Sequence, residues 1–166
     1  MQNRNRIVML VLGIVALCVG GTAVFLLIFR IFFGGILQEP AAVEILVEAP
    51  PQVVVNEPFV VTVQLTNIIT TSQTLHSLDF EEAFLEHISL RSATPAYQTS
   101  QAIPLTNFTS YPFNLPLPAN STNRPTVVEL TFVGRDVGEF SGVMDICFAE
   151  GTLCKAVVLE TAVIER

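Results

Sequence analysis

Positive charge is scarce in this sequence. Eight of its 166 residues are Lys or Arg against fifteen Asp or Glu. Beyond residue 30 the basic residues are Arg91, Arg124, Arg135, Lys155 and Arg166, so that stretch carries 5 minus 15, or −10. Such a surface cannot neutralise phosphates, which excludes nucleic acid, nucleotides and anionic lipid headgroups as main partners. Catalytic signatures are missing too. There is no Gly-x-Ser-x-Gly elbow, no phosphate-binding Gly-Lys loop and no dinucleotide fingerprint. Histidine is limited to His76 and His87. With Asp79, Glu81, Glu82 and Glu86 they can be drawn as a metal cluster, yet no calcium-loop or His-Glu-x-x-His spacing is present. A solvated acidic surface is the favoured reading and weak divalent-ion binding the alternative. The expectation is therefore a protein that is not an enzyme, with no catalytic residues, no metal site and no cofactor.

Apolar residues, by contrast, are concentrated at the start. Residues 7–29 hold no charge and fifteen Leu, Ile, Val or Phe among 23 positions, worth roughly −5 to −9 kcal/mol of insertion free energy. At about 1.5 Å per residue such a helix is about 35 Å long, enough to cross a hydrocarbon core of about 30 Å. A cleavable signal peptide is the rival reading, because Gly21-Thr22-Ala23 resembles a cleavage site. However, Val24 to Phe29 prolongs the apolar run past it, and signal peptides have shorter ones. A lipid anchor at Cys18 is disfavoured by bulky Leu17 before it, which leaves Cys18 as a small buried hydrophobe. Arg4 and Arg6 with the terminal amine precede the span and Arg30 follows it, so the positive-inside bias places the N-terminus in the cytoplasm. This predicts a single-pass signal-anchor in the cell membrane: residues 1–6 cytoplasmic, 7–29 spanning, 30–41 a juxtamembrane linker, and 42–166 extracytoplasmic. Gly13, Ala16, Gly20 and Ala23 line one face of the span with small residues, a pattern that lets a second helix approach closely. Gly and Ala are also simply common in membrane helices.

From Ala42 the apolar pattern switches to period two, broken by Pro, Asn and Gly, which is the grammar of strands. Phe59 to Asn67 alternates most clearly, with Phe59, Val61, Val63 and Leu65 assigned to the core. Thr126 to Val133 does the same with Val128, Leu130 and Phe132. Ala42–Glu48 and Gln52–Val55, separated by Pro50-Pro51, read as edge strands. Leu75–Phe80, His87–Ser92, Asn107–Leu115, Phe140–Phe148 and Leu153–Ile164 are the other candidates. Glu81 to Glu86 reads as a helical turn whose Phe84 or Leu85 plugs the sandwich edge. Ala93 to Thr106 is a long polar connection, either a binding loop or an edge-covering segment. Many short strands with frequent turns predict an all-β fold, a β-sandwich of about seven strands after the single transmembrane helix.

The run Pro51-Gln52-Val53-Val54-Val55-Asn56-Glu57-Pro58 followed by the alternating strand to Asn67 resembles the opening of immunoglobulin-like modules of bacterial cell-surface proteins. Gly138-Glu139-Phe140-Ser141-Gly142 resembles the corner before their penultimate strand, with Phe140 where a corner tyrosine is often seen. The resemblance spans about residues 43–164 and implies an immunoglobulin-like fold with adhesion, spacing or assembly roles. The chain has no tryptophan, so the inter-sheet pin of antibody-type domains is absent.

Cys147 and Cys154 flank the last hairpin. A four-residue loop, Ala149 to Thr152, sets them opposite each other, within disulfide range. Such a bond suits an oxidising compartment and so agrees with the arginine-based topology. Free core thiols and metal ligation are the alternatives. The function expected is a membrane-anchored, non-catalytic binding or assembly module with a protein partner or a homo-oligomeric state. The alternative is an accessory subunit of a larger complex whose transmembrane helix is the main interface.

Overall fold

The computed structural model describes residues 42–151 and 153–166. Among them no helix is long and apolar enough to cross a membrane. The predicted span 7–29, its flanks 1–6 and 30–41, and Arg4, Arg6, Gly13, Ala16, Gly20 and Ala23 lie outside the described residues.

Two sheets carry the described chain. The strands are β1 Val43–Glu48, β2 Gln52–Val54, β3 Pro58–Asn67, β4 Gln73–Glu81, β5 Ile88–Thr94, β6 Gln101–Ala102, β7 Phe108–Leu117, β8 Thr126–Gly134, β9 Gly138–Phe148 and β10 Leu153–Ile164. A four-stranded sheet runs β1-β3-β8-β5 and a six-stranded sheet β2-β10-β9-β4-β7-β6. Among the described residues ten strands form where about seven were expected, because short pieces count as strands: β2, expected as an edge strand, has three residues, and β6, which no alternation marked, has two. β6 falls inside the stretch read as a loop.

Period-two alternation places one side chain in two between the sheets. Val61, Val63 and Leu65 of β3 and Val128, Leu130 and Phe132 of β8 are buried as expected, while Phe59 is half-buried. From the six-stranded sheet, Leu75, Leu78, Phe80, Met144, Ile146 and Phe148 meet them. Leu75 and Leu78 are three apart, so a regular strand would send them to opposite faces. The register of β4 shifts between Leu75 and Ser77 against both neighbours. His76 is the extra residue, and the bulge returns both leucines to the core.

Chain crossings between the sheets use the predicted breakers. Ala49-Pro50-Pro51 carries the chain from β1 to β2, and both strands lie at sheet edges, where prolines are tolerated. Asn56 turns it back with φ 62°, the left-handed conformation asparagine adopts readily. The short helix α1, Glu82–His87, crosses from β4 to β5 with Phe84 buried against the core. Gly142 of β9 lies under that ring: a Cβ there would collide with the Cβ of Phe84. Asn67, fully buried, closes β3. Its N–H donates to Ser121 Oγ at 2.8 Å, its Nδ2 to Thr71 O at 2.8 Å and to Leu117 O at 3.2 Å. One side chain thus ties the following turn and the end of β7, and the backbone N–H ties the 3-10 turn Ser121–Asn123. Gly138 to Gly142, compared above with a corner, is the first stretch of β9 itself. Ser141 there pairs with Glu160, because the turn is already made by Arg135 to Val137.

Candidate interaction surface

The final hairpin forms as the spacing requires. Phe148 pairs with Leu153 and Cys147 with Cys154, and a disulfide joins the cysteines with their Cα atoms 4.0 Å apart. Since Met144, Ile146 and Phe148 point inward, Cys147 and Asp145 between them face outward. The disulfide therefore lies on the outer face of the six-stranded sheet. Cys147 Sγ is 3.3 Å from Asp79 Oδ2. A bridged sulfur has no proton, so this is a contact and not a hydrogen bond.

Sheet order brings two acids together beside it. The β4–β9 pairing sets Asp79 opposite Asp145, and the β4–β7 pairing sets it opposite Ser110. Ser110 Oγ donates to Asp79 Oδ1 at 2.6 Å. Burial pushes the Asp145 carboxyl above its usual range, and the neighbouring Asp79 charge pushes it further. A raised carboxylate pKa means that the fold disfavours the ionised form. Stability is thus withheld at neutral pH and regained as pH falls through the raised value. Asp145→Asn is therefore expected to raise the melting temperature at pH 7, with the gain shrinking in acid. Melting curves of both proteins between pH 7 and pH 4 check it, and an unchanged or lowered melting point at pH 7 contradicts the account.

Asp79 and Asp145 form the floor of a cleft of about 430 Å³ walled by Ile103, Leu105, Thr106, Asn107 and Phe108. The wall is a tight turn. Ile103 N–H donates to Phe108 O at 2.9 Å, and Thr106 Oγ1 donates to Ile103 O at 2.9 Å. Leu105 at its tip is fully exposed with φ 64°. The earlier half of the same connection covers a sheet edge. Tyr97 packs edge-on against Tyr111 at 4.9 Å and Phe113 at 6.2 Å, and Gln98 N–H donates to Pro112 O at 2.7 Å. The carboxylates of the floor offer acceptors and negative charge, which suits a cationic group rather than an anion.

His76 and His87 are not brought together. His76 sits at the β4 bulge near Gly151. His87 Nδ1 lies 2.9 Å from Asp136 Oδ2, and its ring stacks on Phe140 at 4.7 Å. Among the described residues no three His, Cys, Asp or Glu side chains are grouped to hold a metal ion.

The other side of the hairpin is an open edge. β2 pairs with β10 at Ala162, Val163 and Ile164. Among the described residues nothing pairs with β10 on that side from Leu153 to Glu160. Val158 within this stretch is 58% exposed. Nothing in the sequence signalled this opening, because it depends on where β2 stops.

No family model matches the sequence. No curated protein matches it. Among solved structures it is similar to a cohesin module of a family 33 glycoside hydrolase from Clostridium perfringens, at 8% identity over 75% of this chain and 98% of the other, with a TM-score of 0.47. It is similar to AvmM, which catalyses macrocyclization in alchivemycin A biosynthesis, at 10% identity over 75% and 88% of the two chains, TM-score 0.46. A third is a chain of the OlpA type I cohesin–dockerin complex from Clostridium thermocellum, at 11% identity over 74% and 99%, TM-score 0.44. These likenesses assign no activity and no partner to this chain.

Proposed function

We propose that this chain is a membrane-anchored, non-catalytic binding or assembly module. In this reading residues 7–29 span the membrane, residues 1–6 are cytoplasmic and an immunoglobulin-like sandwich of residues 42–166 stands outside. The observation that carries the binding role is the open edge of β10. An unpaired strand edge accepts a partner strand through backbone hydrogen bonds and needs no catalytic group. Support for the compartment comes from the Cys147–Cys154 disulfide, a bond that persists where the environment is oxidising.

Cysteine labelling tests the topology. Leu105→Cys at the exposed loop tip is expected to react with a membrane-impermeant maleimide in intact cells. Asn3→Cys is expected to react only after permeabilisation. The opposite pattern, or release of the protein by alkaline carbonate, would overturn the anchored arrangement. A second reading, the accessory subunit, is favoured by the small-residue stripe Gly13, Ala16, Gly20 and Ala23. It is decided in the same preparation by replacing Ala16 and Gly20 with Leu. Loss of co-purifying proteins with outer labelling intact would put the main interface in the helix; retention would put it outside.

A further inference from the structure

We propose that the open edge of β10 is a self-association site, at which residues Cys154 to Glu160 pair antiparallel with the same residues of a second copy, centred on Val157. The inference rests on the reading of the chain as a binding module and names its partner.

Backbone direction comes first. The β9–β10 register runs without a break from Leu153 to Val163, so alternation along β10 never slips. Ala162 N–H donates away from β9 to Pro51 O, and Ile164 O accepts from Val55 N–H on the same side. By period two, Cys154, Ala156, Val158 and Glu160 also turn their N–H and C=O groups to the open side. Their side chains point to the outer face, opposite to buried Leu159, Thr161 and Val163.

The register then follows from symmetry. A two-fold axis perpendicular to the sheet keeps each copy's outer face on the same side, so a residue must meet one of equal parity. Centring on Val157 sets Cys154 against Glu160 and Ala156 against Val158, each pair exchanging two hydrogen bonds. Every open backbone group from Cys154 to Glu160 is then used. Centring on Val158 would set Cys154 against Ala162, a place that Pro51 and Gln52 already fill. The hairpin turn limits the other direction.

Side chains agree with this register. The exposed Val158 of each copy covers Ala156 of the other, making an apolar centre on the outer face. The two Glu160 carboxylates fall at opposite ends, each beside Cys154 rather than beside each other. Two of the devices that block edge pairing are missing, since residues 154–160 contain no proline and the β9–β10 register has no bulge, while the charge of Lys155, set opposite Leu159 of the other copy, keeps the pairing weak. The apposed surface is well below the roughly 1,600 Å² of a standard stable interface, so the dimer depends on concentration. Two chains anchored in one membrane would meet that condition.

The test uses the full chain in mild detergent and in its membranes. Val157→Cys is expected to form a covalent dimer on gentle oxidation, since central partners across a non-hydrogen-bonded pair lie about 4.5 Å apart. Val137→Cys, exposed in the turn before β9, is expected to give none. Ala156→Pro removes an N–H that faces the open edge and leaves the β9 ladder intact. It is expected to weaken dimerisation at least about tenfold in sedimentation equilibrium, with its melting curve showing that it folds. Equal cross-linking at positions 157 and 137, a dimer that Ala156→Pro leaves unchanged, or a chain monomeric at all concentrations would overturn the proposal. A monomer that still co-purified with another protein would leave the binding-module reading standing while removing this partner.

Discussion

Truncation of Phe132 to alanine is expected to destabilise the β-sandwich by about 3–5 kcal/mol. The ring has no solvent exposure, and three others surround it. Phe80 of the facing sheet meets it edge-on at 5.6 Å, Phe84 of α1 edge-on at 6.3 Å, and Phe59 of β3 stacks on it at 5.8 Å. The cavity left by truncation would be lined from both sheets and the crossing helix. Closing it would need the sheets to approach each other, which their other side chains prevent. A domain stabilised by about 5–15 kcal/mol in total would lose much of its margin. Denaturant unfolding followed by circular dichroism reads the change, with Phe132→Leu expected to cost much less. A loss under about 1 kcal/mol for the alanine variant would mean that this ring does not join the sheets.

Loss of the hairpin disulfide has the next largest expected effect. The bonded cysteines are seven apart in sequence, and the loop-entropy relation gives about 2.5 kcal/mol for so short a loop. For a domain of this size the melting temperature is expected to fall by roughly 10 °C. Replacing both Cys147 and Cys154 by alanine should produce this fall, and a reductant should bring the native protein to the same point without altering the variant. Calorimetry with and without reductant checks it. Equal melting points for the native protein in both conditions would remove the bond from the stability account. The double alanine variant is the cleaner choice, because a lone Cys147 thiol would regain a proton beside Asp79 Oδ2, 3.3 Å away.

The accuracy of the strand reading has a local cause. Alternation alone sends Phe59, Val61, Val63, Leu65, Val128, Leu130 and Phe132 inward, and all but the half-buried Phe59 are buried, because one face of each strand had to leave water. The disulfide was legible for a similar reason: a four-residue loop sets the register of its own hairpin. Alternation gave no help where it was interrupted. Leu75 and Leu78 share a face only because His76 bulges, and the cue was their three-residue spacing. The stretch from Ala93 to Thr106 showed no period, yet Tyr97 anchors it and β6 pairs within it. Its contacts are with β7, so its own residues could not disclose them.

The open edge marks where local information stops. Residues within and beside β10 are enough to make it a long strand, to choose the face it buries and to set which cysteine it offers to β9. These follow from patterns within a few residues, enforced by desolvation and loop length. That β2 covers β10 only at its last three pairs and that Asp79 and Asp145 stand side by side emerges only in the assembled sheet. Both depend on the order in which distant strands enter a sheet. Strand order is chosen by the packing of the whole core, and no single segment of sequence encodes it.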